Sequence, residues 1–243
     1  MINVLLSDNI LIIGANGSIG TSVVEKLYKT YNVIASYNNS NDSLKKYKNQ
    51  ISIVKFDVTK LDLIDSFLDE LIRKFGSLKS IVYVAGVQSI KPLKFISIDD
   101  CQNQFNVNYF APLFFAKAFA KKNRHTENSS LIFISSVASK KPEPAILNYS
   151  ASKAALDNLC IGLSKEIKPI RVNAVSPSFL NTNMTEAFPK VYTQEHIENI
   201  NSIYPLGIGS VSDVSNMVRY LLSDEASYIT GSIFNVDGGA STL

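Results

Sequence analysis

Short apolar runs alternate with amphipathic stretches along most of the chain. The runs are rich in valine and isoleucine and contain few polar residues, which is typical of strands buried on both faces of a sheet. We predict strands at Asn9–Ile13, Asn32–Tyr37, Ile51–Phe56, Ser80–Ala85, Leu131–Ser135, Arg171–Val175 and Ser232–Val236.

The stretches between these runs carry apolar residues at helical spacing. In Leu61–Phe75 the apolar residues share one face, and Gly76 follows as a helix stop. The polar segment His125–Ser130 is predicted as a loop, and residues 178–209 as an irregular substrate loop or lid. Further helices are predicted around Val23–Tyr28, over Ser43–Lys48, from a capping Asp99 to about Lys122, over Tyr149–Ile167 and over Ser212–Leu222.

Alternating strands and helices predict an α/β fold with a parallel sheet, because parallel strands need crossover connections. The expected architecture is one doubly wound, Rossmann-type domain over residues 1–243, with seven parallel strands and helices on both faces. Ligands of such sheets bind at the carboxyl ends of the strands. Residues that follow different strands are therefore expected to meet at one edge of the sheet.

Composition and charge indicate the protein's location and the classes of partner that it binds. The net charge is only +3, and the chain has no basic run interleaved with aromatic residues, which would indicate a nucleic-acid surface. The first residues lack the basic region of a secretory leader, and the apolar stretch Tyr109–Ala120 is too short to span a bilayer. We expect a cytoplasmic protein that binds neither membrane nor nucleic acid. His125 and His196 have no partners at metal-ligand spacing, so we predict no metal site.

A glycine-rich turn, Gly14–Gly20, joins the first predicted strand to a helix. Glycines permit a tight turn and a close backbone approach, and the free N–H groups at the helix start bind phosphate. The turn is either a simple strand–helix connection or a phosphate cradle. Its place between a strand and a helix favours a dinucleotide site.

Tyr149 and Lys153 are four residues apart and share one face of a predicted helix. A phenol titrates near ~10, and a nearby ammonium lowers that pKa, so the pair is a candidate acid/base. Taken alone, such spacing more often reflects a lysine stem packed on an aromatic ring. Ser136, however, follows the fifth predicted strand, and its hydroxyl is expected to face Tyr149 at the same sheet edge as Gly14–Gly20.

These motifs together resemble the short-chain dehydrogenase/reductase family, in its single-domain branch, over almost the whole chain. The resemblance assigns the family's active-site tetrad to Asn108, Ser136, Tyr149 and Lys153. The family's usual TGxxxGIG loop is here Ile13–Gly20, with Gly17 and Ser18 in altered places, and its NNAG motif is reduced to Tyr83–Gly86. The cofactor-binding residues that the resemblance implies are Gly14, Asn16, Gly17, Ser18, Ile19, Gly20, Ser36, Asp57, Val58, Ala85, Gly86, Tyr149, Lys153, Pro177, Leu180 and Thr182.

The resemblance implies hydride transfer between a nicotinamide and a carbonyl or secondary alcohol. Tyr149 would protonate the carbonyl oxygen, Lys153 would lower the phenol pKa and bind the nicotinamide ribose, and Ser136 would hold the substrate oxygen. Asn108 would position a water that joins Lys153 to a proton relay. The segment Ser36–Ser40 has no carboxylate to bind an adenosine ribose, which favours NADP over NAD, with Lys45 and Lys46 as candidate phosphate contacts.

Within the family the chain is most similar to 3-oxoacyl-(acyl carrier protein) reductases, and Arg124 is a candidate contact for an acidic carrier at the rim of the site. A sugar or other secondary-alcohol dehydrogenase is the near alternative, because residues 178–209 carry no chemical signature. A non-catalytic NAD(P)-binding regulatory protein is the alternative from another class, against which the intact tetrad argues. The resemblance also implies a homotetramer or homodimer, and the apolar residues available for its interface or for the core are Phe110, Phe114, Phe115 and Phe119.

Overall fold

A computed structural model describes residues 8–243 of the chain. The start of the chain, for which the sequence predicts no secretory leader, lies outside the described residues. Within residues 8–243, seven strands form one parallel sheet in the order β3-β2-β1-β4-β5-β6-β7, which confirms the predicted doubly wound α/β fold. The strands are β1 (Asn9–Ile13), β2 (Asn32–Tyr37), β3 (Ser52–Lys55), β4 (Leu78–Tyr83), β5 (His125–Ile134), β6 (Arg171–Pro177) and β7 (Ile233–Val236).

Helices cover both faces of the sheet, as predicted. The helices are α1 (Ser18–Leu27), α2 (Ile64–Phe75), α3 (Ile98–Phe105), α4 (Ala111–Phe119), α5 (Leu147–Glu166), α6 (Asn183–Glu186), α7 (Gln194–Ile203) and α8 (Val211–Leu222). Alternate side chains of β1 enter two different cores: Leu11 and Ile13 pack with α2, α4 and α5, whereas Ile10 and Ile12 pack with α1 and α8.

The long helix predicted from Asp99 to about Lys122 differs from the prediction in three respects. Its cap is Ser97, whose hydroxyl accepts a hydrogen bond from the Asp100 N–H while the Asp100 carboxylate accepts one from the Ser97 N–H. A π-helical turn, Asn106–Phe110, separates α3 from α4, and α4 ends at Phe119. The sequence pattern could not reveal the turn, because one extra residue shifts the helical phase without breaking the apolar run.

The segment His125–Ser130 is part of β5, so the prediction of a polar loop there was wrong. Ser130 is buried beside Ser80 of β4, and their hydroxyl oxygens are 2.8 Å apart. Each serine satisfies the other, which lets a polar run continue the strand. Residues 178–209 are likewise less irregular than predicted, because they contain α6 and α7.

Two of the four phenylalanines considered for a subunit interface belong to the core. Phe115 and Phe119 belong to α4 and are fully buried in the cluster that this helix forms with α2 and α5. Phe114 is partly buried against the same cluster, and Phe110 is 38% exposed. Only Phe110 therefore presents much of its ring to an outside partner.

Arg124 is not at the rim of the predicted active site, so its proposed role as a carrier contact was wrong. It directly precedes β5, at the amino end of that strand, whereas the site lies at the carboxyl ends. Its side chain is 7% exposed and bonds to Asp65 at 2.8 Å and Asp69 at 2.5 Å, both on α2. It also donates to the carbonyl of Ala118 at 3.1 Å. The residue therefore ties α2 to the end of α4.

Replacing Arg124 by Met should lower the free energy of unfolding by about 1–3 kcal/mol, because three charge-assisted hydrogen bonds are lost. Hydrogen bonds with Arg124 and then Lys121 lower the pKa of Asp65 to about 2. The stability that these bonds contribute is therefore present above pH ~4 and is lost as the pH falls toward 2. Urea unfolding at several pH values should show that the difference in stability between the unaltered protein and Arg124→Met shrinks on acidification. Lys121→Met, which breaks an exposed pair with Asp65, is the control and should cost less than about 1 kcal/mol.

Candidate active site

The carboxyl ends of β1, β4, β5 and β6 meet at one edge of the sheet, where a cavity of about 560 Å³ opens. Ser136 lies just past β5, and Tyr149 and Lys153 project from the first turns of α5 into this cavity. The four tetrad positions predicted from sequence are thus brought together, since Asn108 lies directly behind the cavity wall formed by Gly86.

The glycine turn after β1 is shaped by its first and last glycines. Gly14 has φ +83°, and a Cβ atom there would lie 2.6 Å from the backbone nitrogen of Ala85. A Cβ atom at Gly20 would overlap the carbonyl oxygen of Gly14, whereas at Gly17 it would lie at an ordinary 3.7 Å from that oxygen. The close approach of loop, helix and β4 therefore requires Gly14 and Gly20 but not Gly17. The cradle fits the phosphates of a dinucleotide, because α1 begins directly behind it.

The displaced glycine leaves Ser18 at the start of α1, where its hydroxyl has protein partners. Ser18 Oγ donates to Asn183 Oδ1 at 2.8 Å and accepts from the Asn183 N–H at 3.1 Å. Asn16 is held on the other side, since its carbonyl accepts from Ser43 Oγ at 3.0 Å. These residues also line a polar groove of about 750 Å³ beside α1. Ser18 thus connects the predicted phosphate loop to the segment that covers the site.

Tyr149 is buried, and burial raises the pKa of its phenol to about 12. The neighbouring Ser136 hydroxyl opposes this rise, and Tyr192 adds to it. The phenol is therefore protonated at neutral pH and can serve as a proton donor. The sequence-based expectation that the phenol pKa is lowered is not met by the protein alone, because desolvation outweighs the other effects.

Lys153 is also buried, and burial lowers the pKa of its ammonium to about 8, while Asp157 opposes the fall. Its Nζ atom donates to the carbonyl of Ile134 at 2.8 Å and lies 5.8 Å from the centre of the Tyr149 ring. The ammonium is still mainly protonated at pH 7, because this is below its pKa. It therefore places a positive charge within reach of the phenol in a poorly solvated site.

Asn108 sits fully buried in the π-helical turn and uses its whole amide within the protein. Its Oδ1 accepts from the Val87 N–H at 3.0 Å, and its Nδ2 donates to the Val87 carbonyl and to Ser152 Oγ, both at 2.9 Å. Ser152 Oγ in turn donates to the carbonyl of Tyr149 at 2.7 Å. Asn108 therefore braces the segment after β4 against the first turns of α5.

The residues predicted for the adenosine end lie at the carboxyl ends of β2 and β3. Asp57 Oδ1 accepts from the Thr59 N–H and hydroxyl, and neighbouring Val58 is buried. Ser36 is buried within β2, and its carbonyl accepts from the Ala15 N–H at 2.8 Å. Its side chain is therefore covered, while its backbone helps to hold the glycine turn.

The two lysines considered for a ribose phosphate lie just beyond this end of the sheet. Lys45 forms an exposed ion pair with Asp42 at 2.5 Å. Lys46 Nζ lies 4.8 Å from the centre of the Tyr47 ring. The charge of Lys45 is thus partly balanced by its own neighbour, whereas Lys46 has no such carboxylate partner among residues 8–243.

The segment after β6 covers the cavity from above. Pro177, Leu180 and Thr182, which the sequence predicts as cofactor contacts, line it together with parts of α6 and α7. Tyr192 packs on Phe179 with ring centres 5.0 Å apart, and its hydroxyl lies 3.5 Å from Gln88 Nε2. Tyr192 and Gln88 are wall residues that the sequence analysis missed.

Three further polar residues were missed behind the cavity: Gln104, Asn148 and Ser152. Gln104 is 1% exposed and Ser152 is fully buried. Asn148 could have been noticed because it directly precedes Tyr149. A single glutamine in an amphipathic helix gives no such signal, because exposed and buried glutamines look alike in sequence.

Within residues 8–243 no group of three or more His, Cys, Asp or Glu side chains is placed to hold a metal ion. Over the same range, no helix is both long enough and apolar enough to cross a membrane.

Residues 14–241 match the family model described as Enoyl-(Acyl carrier protein) reductase. The chain is 31% identical over 186 residues to 3-oxoacyl-[acyl-carrier-protein] reductase of Thermotoga maritima, a match that covers 75% of this chain and 74% of that protein. The ligand-free structure of Thermoplasma acidophilum aldohexose dehydrogenase is 26% identical with a TM-score of 0.88, over 98% of this chain and 96% of that one. ElxO with NADP bound is 25% identical with a TM-score of 0.85, over 98% and 100% of the two chains.

Replacing Gly20 by Ala should destabilise the fold by about 1–3 kcal/mol and weaken dinucleotide binding at least ~10-fold, because the new methyl group overlaps the Gly14 carbonyl. Urea unfolding and a fluorescence titration with NADPH measure the two effects. Gly162→Ala is the control, since a Cβ atom in that part of α5 meets no other atom within 4 Å. Equal stability and affinity of the Gly20 and Gly162 variants would contradict the steric role of Gly20.

Proposed function

We propose that this chain, which belongs to the short-chain dehydrogenase/reductase family, is an NADP-dependent reductase of a carbonyl group attached to an apolar body. The family makes the chain an NAD(P)-dependent oxidoreductase. The observation that carries the finer proposal is a protonated phenol, Tyr149, that faces an apolar cavity beside Ser136 and Lys153.

In the proposed reduction, Tyr149, Ser136 and Lys153 each have a separate role. When bound, the reduced nicotinamide supplies the hydride to the carbonyl carbon. Tyr149 gives its proton to the carbonyl oxygen, so that an alcohol and a phenolate result. The Ser136 hydroxyl donates to that oxygen as negative charge develops, and the ammonium of Lys153 stabilises the phenolate. The phenolate is then reprotonated from solvent.

The walls of the cavity favour an apolar substrate over a polyol. The lining exposes more apolar than polar surface, although Gln88, Glu143, His196 and Asn199 also contribute to it; its aliphatic and aromatic side chains include Ile90, Val137, Ile146, Phe179, Val191, Ile200 and Ile203. A sugar would place several hydroxyls in this space, and each hydroxyl that faces the apolar part without a partner costs about 1–3 kcal/mol. An acyl chain meets no such cost. A 3-oxoacyl group on acyl carrier protein therefore fits better than a sugar as the proposed substrate.

NADP is the proposed cofactor. The last residue of β2, Tyr37, and the three that follow it, up to Ser40, carry no carboxylate that would repel a 2′-phosphate. Asn16 and Ser43 lie at the same end of the sheet, where the polar groove offers hydroxyl and amide groups. A similar chain, ElxO, has been solved with NADP bound. NAD is the alternative cofactor, and comparison of kcat/KM for NADPH and NADH distinguishes the two.

We further propose that the chain forms a homotetramer or homodimer through the faces of α4 and α5. Phe110, at the end of the π-helical turn, is 38% exposed, and Ile161 of α5 is 40% exposed. Contiguous apolar patches mark interaction surfaces, and these two side chains would contribute to such a patch on the neighbouring helices.

Replacing Tyr149 by Phe should reduce turnover of a short 3-oxoacyl thioester by NADPH about 10²–10⁴-fold, because the proton donor is lost while the ring is kept. Steady-state kinetics should show this loss while the affinity for NADPH changes less than about twofold, since ring packing is retained. Tyr228→Phe is the matched control, because Tyr228 is 99% exposed.

Undiminished turnover in the Tyr149→Phe protein would overturn the proposed mechanism. A panel with an aldohexose beside the thioester tests the substrate class. NADPH binding without turnover of any carbonyl compound would instead support the non-catalytic regulatory alternative.

The kcat/KM for NADPH should exceed that for NADH at least tenfold. Asn38→Asp should reverse or abolish this preference, because a carboxylate just after β2 repels the 2′-phosphate and accepts bonds from a free ribose. Asn49→Asp adds the same charge at an exposed site away from this strand end and should leave the ratio unchanged. A clear preference of the unaltered protein for NADH would contradict the assignment.

A further inference from the structure

Gln104 is a buried glutamine of α3 that touches two parts of the proposed site at once. It is 1% exposed. Its Nε2 donates to the carbonyl of Val87 at 3.3 Å, and its Oε1 accepts from Asn148 Nδ2 at 2.6 Å. Burial of an amide is unfavourable unless both ends are hydrogen-bonded. Position 104 therefore favours a side chain that donates a hydrogen bond toward Val87 and accepts one from Asn148.

The first contact is with the segment that follows β4, Ala85–Val87. Val87 has both of its backbone groups bound to Asn108, and its carbonyl is shared with Gln104. Gly86, one residue earlier, lines the cavity in which the cofactor is expected. Gln104 thus helps to hold the backbone beneath the cofactor position.

The second contact is with Asn148, the residue directly before Tyr149. Helix α5 begins at Leu147, and its N-cap residue, Ile146, provides no side-chain cap. Asn148 instead donates to Gln104 and, at 3.3 Å, to the carbonyl of Asp100. The first turn of α5 is therefore held to α3 by a side chain next to the proton donor, where a cap would usually act.

We propose that Gln104 and Asn148 are positioning residues, which set the placement of the Tyr149 hydroxyl relative to the backbone at Ala85–Val87. The inference rests on the proposed function, because the distance they control is the one between proton donor and cofactor. Reactions of this kind are sensitive to misplacement, and a shift of about 1 Å at the reacting groups can cost on the order of 10²-fold in rate.

Gln104→Met tests the proposal, since methionine has a similar volume but removes both hydrogen bonds. We expect kcat to fall about 10–100-fold while the KM for NADPH stays within about twofold, because the Asn108 side chain still holds both backbone groups of Val87 beneath the cofactor position. Gln102→Met is the matched control: it is the same substitution on the same helix, at an exposed position. It should leave kcat unchanged.

A reciprocal exchange separates positioning from simple packing. Gln104→Asn should lose activity because its shorter side chain no longer reaches Asn148. Adding Asn148→Gln moves the missing methylene to the other partner and should restore most of kcat. A double variant no more active than Gln104→Asn alone would overturn the proposal, as would a Gln104→Met protein that loses thermal stability but keeps full kcat.

Hydrogen–deuterium exchange provides a readout that does not depend on turnover. Amides in residues 147–153 should exchange at least tenfold faster in Gln104→Met than in Gln102→Met, because the start of α5 is no longer held. Equal exchange in the two variants would overturn the positioning role of Gln104 and Asn148, even if the enzyme were inactive on every carbonyl tested. If the unaltered protein shows no turnover but the exchange difference is present, the proposed function is contradicted, whereas the contact that holds the start of α5 is supported.

Discussion

The site depends on the buried amide of Asn108 and the backbone groups of Val87. The π-helical turn that carries Asn108 interrupts regular helical hydrogen bonding, which is unfavourable unless the freed groups find partners. The Tyr83 hydroxyl donates to the backbone carbonyl of Val107 at 2.7 Å, and three hydrogen bonds of the Asn108 side chain anchor the turn to its surroundings. The irregular turn is thereby stabilised by contacts that also hold the end of β4 against α5.

Burial gives the paired tyrosine and lysine their chemical character. Each side chain loses its hydration, so each is driven toward its neutral form: the pKa of Tyr149 rises and that of Lys153 falls. A protonated phenol beside a mainly charged ammonium is suited to donating a proton and to stabilising the phenolate that remains. The apolar wall from α6, α7 and the residues around them strengthens this effect, because it keeps the local dielectric low.

Much of the fold and of the tetrad could be predicted from sequence, because the signals are local. Runs of valine and isoleucine placed the strands, and strand ends placed Ser136 and the glycine turn at one edge. Residues whose role depends on distant partners could not be assigned in this way. From sequence, Arg124 could be identified only as a positive charge. In the structure it forms ion pairs with two aspartates of α2 at the edge of the sheet opposite the candidate site, so its role is structural. The first half of β5 reads as polar because its serines are satisfied only by another strand.

The α/β class, the order of strands and helices along the chain, and the residues at the strand ends can be read from local sequence, because apolar periodicity and short motifs act within a few residues. The tertiary structure decided which glycines the turn requires, since only the approach of Ala85 and the Gly14 carbonyl excludes a side chain. It also decided that Gln104 lies behind the site, because that role arises from contacts with Val87 and Asn148, which are far from it along the chain.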